Sequence, residues 1–190
     1  MNPAPPFAWI GGNLALDFLN TVGNRLDRPT EYLSGGAELA LWASLGALLP
    51  PNAELRLTRA QMTYVRSSRD ELYRRVVPWA SGGSPSHSDL AWLTAQIVRC
   101  APLRRLVRAA DAVCWEWRTS PRDPSAILGP VFSSAAELLT ENLYRNLRQC
   151  GGERCGWLFI DRSPAGLRRW CSMADCGNRA KARAFVERRR

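Results

Sequence analysis

Four cysteines near the C-terminus constrain this chain more than any other feature. They stand as Cys150-Gly-Gly-Glu-Arg-Cys155 and Cys171-Ser-Met-Ala-Asp-Cys176, two C-x4-C pairs with fifteen residues between them. Two pairs of thiolates on two short turns supply the soft tetrahedral ligand set that one zinc ion takes. An iron–sulfur cluster would use the same four sulfurs; two redox disulfides or plain burial are the other arrangements open to them. The Gly151–Gly152 pair is expected to permit a tight turn through positive φ. Four protein thiolates close the coordination sphere and leave no place for water or substrate, so the expected role of the metal is structural. A segment of fewer than about 50 residues needs such a staple to stay folded.

Upstream, the apolar positions recur almost everywhere with a period near 3.6, and residues 1–148 read as a mainly α, helical domain. After an extended arm, NLALDFLNTVGNR forms a short amphipathic helix with Ala15, Phe18, Leu19 and Val22 on one face. Ser34 precedes a second helix ended by Pro50–Pro51. Thr58 and Gln61 form a capping box for a long third helix with Met62, Val65, Leu72 and Val76 inward. A Gly/Ser loop containing His87 follows, and Ser88 or Asp89 caps LAWLTAQIVRC. Pro102 opens an expected helix with Leu103, Leu106, Val107, Ala110, Val113 and Trp117 in one stripe. Residues 118–130 read as a loop, and Ser134 with Glu137 opens a helix carrying Leu139, Leu143 and Leu147. Cys100 and Cys114, in apolar surroundings, are expected to be buried thiols. Residues 149–190 form a separate module: GWLFIDR is a strand, and a last helix starts near Asp175 or Cys176. The expected architecture is a treble-clef-like zinc finger, a short β-hairpin plus a C-terminal helix, with Ala182, Phe185 and Val186 packed on the helical domain.

The formal net charge is +9, carried by 26 basic residues of which only Lys181 is lysine. A GC-rich genome would produce the same arginine bias. Residues 141–190, however, contain 12 basic and 5 acidic residues, a net of +7, so the excess is concentrated in the last quarter. This points to a polyanionic partner, nucleic acid and DNA foremost, met by Arg168, Arg169, Arg179, Lys181, Arg183, Arg188, Arg189 and Arg190. The plainer alternative is a solvated helix end that complements the helix dipole. Arg179 has its own alternative, an inward pair with Asp161. A second cluster, Asp17, Asn20, Thr21, Asn24 and Arg25, stands opposite the apolar face of the first helix and can orient a small polar ligand, or be an ordinary solvent face. The rival reading is therefore a non-catalytic ligand-binding or protein-interaction module with a purely structural finger. The single histidine and the lack of a nucleophile or phosphate-loop motif argue against an enzyme, although carboxylates such as Asp17 and Glu71 are present. No apolar run is long enough to span a membrane, and MNPAPPFAWIGG is not built like a signal peptide, so the expected location is the cytoplasm. Helical regulators often form homodimers, but no segment here names an interface.

Cys155-Gly-Trp-Leu-Phe-Ile-Asp-Arg-Ser, followed by Arg169-Trp-Cys-Ser-Met-Ala-Asp-Cys-Gly-Asn-Arg-Ala-Lys, resembles the CGNR zinc finger, named for the tetrad found here as Cys176-Gly177-Asn178-Arg179. Gly12-Asn13-Leu14-Ala15-Leu16-Asp17-Phe18-Leu19-Asn20-Thr21 resembles the opening of the ABATE domain, which commonly precedes that finger. The resemblance implies a bacterial, stress-induced transcription regulator whose finger binds DNA and whose helical domain senses a small molecule.

Overall fold

The structure is a computed structural model that describes residues 7–118 and 120–189; Arg190 and the first half of the expected N-terminal arm lie outside them. The elements are α1 (Leu14–Leu19), β1 (Val22–Gly23), β2 (Thr30–Glu31), α2 (Gly36–Leu45), α3 (Arg59–Ala80), α4 (His87–Cys100), β3 (Arg104–Ala109), β4 (Ala112–Trp117), α5 (Ser125–Thr140), β5 (Leu147–Gln149), β6 (Leu158–Ile160) and α6 (Asn178–Glu187). Helices dominate, and the strands form three separate antiparallel pairs, β1–β2, β3–β4 and β5–β6.

At the centre lies α1. The side-chain oxygen of Asn13 caps it by accepting from the amides of Ala15 at 2.9 Å and Leu16 at 3.4 Å. Five of its six residues are buried, so it behaves as a core element rather than a surface helix. Around it pack α3 and α5, and α4 lies against α5. The Thr58–Gln61 capping box starts α3 as expected, and Met62, Val65, Leu72 and Val76 are all buried. Trp42 of α2 fills the far side, with Trp9 stacked on it at 5.4 Å and Phe18 tilted against it at 5.3 Å. Leu147, Leu158 and Ile160 join the same core from the β5–β6 hairpin.

Several boundaries differ from the sequence expectation. The helix expected from Pro102 is instead the β3–β4 hairpin, closed by the two residues Ala110 and Asp111. Its stripe was helical in spacing, but Val107, Val113, Trp115 and Trp117 are β-branched or aromatic, and they favour a pleated surface. Pairing also satisfies charge: Arg105 faces Glu116 across the strands at 2.6 Å, and Arg104 lies 4.5 Å from the Trp115 ring. Cys114 is consequently exposed, whereas Cys100 is buried as expected. Ser134 does not begin a helix. It is buried inside α5, which starts nine residues earlier because the apolar run Ala126–Phe132 is wholly interior. That helix ends at Thr140, and Asn142 at φ 56° turns the chain so that Leu147 enters a strand. α2 begins after Gly35 and stops at Gly46, ahead of the prolines. α4 is capped by Ser86 with Asp89 completing the box, which places His87 in its exposed first turn. Among the described residues, no helix is long and apolar enough to cross a membrane.

The hairpin meets the core through Trp117, whose ring occupies the space where a Cβ on Gly129 of α5 would sit. Glycine to alanine inside a helix normally gains about 1 kcal/mol. Here Gly129→Ala is expected to lose about 1–3 kcal/mol by overpacking, read as a lower urea midpoint at unchanged slope.

Candidate metal centre and its basic helix

The β5–β6 hairpin delivers Cys150 at its end, where the Cys150 amide donates to the Trp157 carbonyl at 2.8 Å. A tight turn returns the chain to Cys155, whose amide donates to Gly152 O at 2.9 Å. The second pair arrives beside it: Gly151 N donates to Arg169 O at 2.8 Å, and the Cys171 amide donates to Cys150 Sγ at 3.2 Å. Ser172 caps a wide five-residue π turn, Met173–Gly177, that carries Cys176 and runs directly into α6. Gly151 and Gly152 do not have positive φ, contrary to expectation. Their role is space, since a Cβ on Gly152 would stand 3.0 Å from the Cys176 sulfur. Positive φ falls instead on Gly156, at 71°.

All four sulfurs are buried and lie within 4.8 Å of one another. Cys171 Sγ is 3.7 Å from Cys155 Sγ and 3.6 Å from Cys176 Sγ. Zinc–sulfur bonds of about 2.3 Å in a tetrahedron require sulfurs roughly 3.8 Å apart, so the cage fits a single zinc ion. Disulfides are absent among these residues, and a multi-iron cluster would spread its thiolates more widely. The protonation pattern agrees. Cys150, accepting from Cys155 and Cys171 and from two backbone amides, is pushed down to about 2. Cys155, donating to Cys150 inside a buried cluster, is pushed up to about 12, and Cys171 moves up for the same reasons. A divalent cation is what allows Cys155 and Cys171 to lose their protons as well.

The structure sorts the basic residues into two groups. Arg168 turns inward, bonding the carbonyls of Trp170 at 3.1 Å and Cys171 at 2.6 Å and covering the Phe159 ring at 4.1 Å. Arg179 does not pair with Asp161; it donates to Cys176 Sγ at 3.1 Å. Asp161 is already engaged by the amides of Ser163 and Arg168, both at 2.9 Å. Arg183 bridges to Glu153 at 2.6 Å. At 3.6 residues per turn, Arg179, Arg183 and Glu187 share the side of α6 that lines a cleft against the first cysteine turn. Lys181, Phe185, Arg188 and Arg189 lie on the opposite side and are exposed. Arg169 is exposed too, beside Trp170. The expected apolar contact of Ala182, Phe185 and Val186 with the helical domain is not made: all three are exposed, Phe185 at 54% and Val186 at 53%.

The second predicted cluster has a different setting. Asn20 donates to Leu158 O and accepts from Leu158 N, both at 2.9 Å, as a paired strand residue would. Thr21 donates to Phe18 O and accepts from the buried Arg69. Arg25 bonds Leu19 O at 2.8 Å and Asp70 at 3.3 Å, with its guanidinium 4.0 Å from the Tyr73 ring. Asp17 accepts from the Gly11 amide at 2.8 Å. Asn24 alone of the five lines the clefts beside the cysteines, and it has φ 49°. Sequence reasoning passed over Trp157, which donates to Val22 O at 2.7 Å, and Tyr73, which donates to Gly156 O at 2.6 Å. The tryptophan two residues beyond a ligand was a usable signal; Tyr73, over eighty residues away on α3, offered none.

Residues 146–189, the segment that builds the cage, match the CGNR zinc finger, and residues 12–142 match ABATE. The chain belongs to the ABATE family. That family is described as "Putative stress-induced transcription regulator", and this member carries the CGNR finger with a site for one structural zinc. No curated protein matches the chain in a direct comparison.

Because Leu147, Leu158 and Ile160 sit in the main core, metal removal reaches beyond the finger. Purified protein is expected to hold one zinc per chain; Cys171→Ser should abolish it, and stripping the metal should lower the unfolding temperature of the α-helical signal, not only of the finger. Asp17 supplies a second test. Burial pushes its carboxyl up from 3.8 to about 6 against the lowering pull of the Gly11 and Ile10 amides. The folded state then holds a proton that the unfolded state releases, so stability is full below the unfolded value and is lost as pH rises through the folded one. The loss across that window is about 3 kcal/mol; Asp17→Asn should lack it, so the stability difference between wild type and Asp17→Asn should change by about that amount in urea titrations run from about pH 4 to 8.

Proposed function

We propose that this ABATE member regulates transcription by binding nucleic acid, DNA foremost, through the outward side of α6. The observation that carries the reading is the disposition of that helix. No residue of α6 is buried, yet its first turn is tied to a metal ligand, and the side away from the finger groups Lys181, Arg188 and Arg189 around Phe185. Cations of this kind neutralise phosphates, and a helix held at one end by zinc can be offered to a groove in one orientation. Arg168, Arg179 and Arg183 serve the finger itself in this reading, and the zinc is structural rather than catalytic.

Ligand sensing by the helical domain is the second part of the proposal. A hollow beside the metal ligands Cys155, Cys171 and Cys176 supports it, because its walls come from both regions: Phe7, Asn24 and Tyr32 on one side, Trp157, Asp175 and Arg179 on the other. A small polar molecule held there would bear on the residue that braces Cys176. The placement differs from the face expected on α1, of which only Asn24 takes part.

Selection from random DNA and RNA with the zinc-loaded chain tests the reading. Binding should weaken with salt at a slope of roughly −0.9 per phosphate neutralised. Lys181→Glu with Arg188→Glu should reduce both affinity and slope while zinc content stays at one per chain. Binding that ignores salt, or none from a diverse pool, would overturn it.

A further inference from the structure

The β3–β4 hairpin is an arm that the proposed function does not use. Apart from Val107 and Trp117, which are half-buried, every residue from Arg104 to Trp117 is exposed, including Leu106 at 60%, Val113 at 64% and Trp115 at 55%. A lone two-stranded hairpin is marginal in water and is stabilised by further strands or by packing on a helix; this one meets α5 through Trp117 at its base, and its outer part is left to solvent. Among the described residues no further strand pairs with either of its edges, and an open edge is a template for another strand.

Charge distinguishes the two edges. β3 carries Arg104, Arg105 and Arg108, so pairing it with its own copy would bring three arginines from each chain together. β4 reads Ala-Val-Cys-Trp-Glu-Trp, with Glu116 its only charge and neither lysine nor proline to blunt the edge. The register follows from the turn. A two-residue loop is closed by the hydrogen-bonded pair Ala109–Ala112, so the main-chain groups of Val113, Trp115 and Trp117 point away from β3. Trp117 is held against Gly129 of α5, which leaves Val113 and Trp115 to pair.

We infer that the protein self-associates through β4, two copies pairing antiparallel about a two-fold axis at Cys114 to make one four-stranded sheet. In this register Val113 hydrogen-bonds opposite Trp115 of the partner subunit, twice by symmetry. Ala112 lies opposite Glu116 of the partner subunit. Cys114 faces its own copy as a non-hydrogen-bonded pair, where Cα atoms approach to about 4.5 Å, within disulfide reach. Leu106, Val113 and Trp115 of both copies fall on one continuous face.

Sedimentation of the full zinc-loaded chain over a concentration series is the test, with a mild thiol oxidant as the second readout. The expected result is a concentration-dependent dimer that oxidation locks through Cys114. Cys114→Asp should weaken it tenfold or more by opposing two like charges, with zinc content and urea midpoint unchanged. Ala112→Arg should tighten it by facing Glu116 of the partner subunit. A monomer at every concentration, or a dimer indifferent to Cys114→Asp, overturns the interface. A dimer that does not crosslink at Cys114, or that Ala112→Arg leaves unchanged or weaker, overturns the register. Since α6 is not involved, each of these outcomes is independent of nucleic-acid binding.

Discussion

The bond pair between the Asn20 side chain and the main chain of Leu158 is the joint on which the rest of the structure depends. A buried strand edge must have its amide and carbonyl satisfied, and β6 has only three residues and one partner strand. Asn20 completes it by presenting an amide in place of a second strand. Neighbouring contacts extend the same seam: Ile160 N to Gly11 O, Trp157 Nε1 to Val22 O, and Arg25 N to Cys155 O. The finger is therefore built into the helical body, not hung from it. Zinc-binding energy, which is folding energy in small modules, is felt through this seam by α1 and the core around it.

That joint also explains the second cluster of polar residues. Asp17, Asn20, Thr21 and Arg25 look on the sequence like a solvent face or a pocket wall. In three dimensions their hydrogen-bonding capacity is directed at main-chain groups, at Asp70 and at Arg69, the last 2% exposed and bound to Glu31 at 2.7 Å. The arginine excess divides in a similar way. Some guanidiniums are internal fasteners that stack on rings and cap carbonyls, as Arg25 and Arg168 do, because a planar multidentate donor serves both purposes. Others, on the outer side of α6, remain exposed to solvent.

Legibility followed the range of the forces involved. The zinc cage could be read because coordination valence demands four soft donors whatever surrounds them. α3 could be read because the Thr58–Gln61 box and the apolar repeat are local. The stretch from Leu103 to Trp117 was misread because six apolar positions fit a helical period while the residue types at Val107, Val113 and Trp115 favour strands. The deciding contact, Trp117 over Gly129, joins two elements. The start of α5 was missed for a related reason: Ala126–Phe132 is apolar on all sides, so its burial shows no period.

By itself the sequence determined the four-cysteine ligand set, the helical character of the body and the concentration of positive charge near the C-terminus. Each of these rests on composition or on spacings of a few residues. Tertiary structure alone decided which polar groups are spent on the seam, that Arg179 faces a sulfur instead of Asp161, and which side of α6 is free. Those outcomes depend on pairs such as Asn20 with Leu158, 138 residues apart. Only closure of the core brings such pairs within hydrogen-bond reach, and no local pattern encodes that geometry.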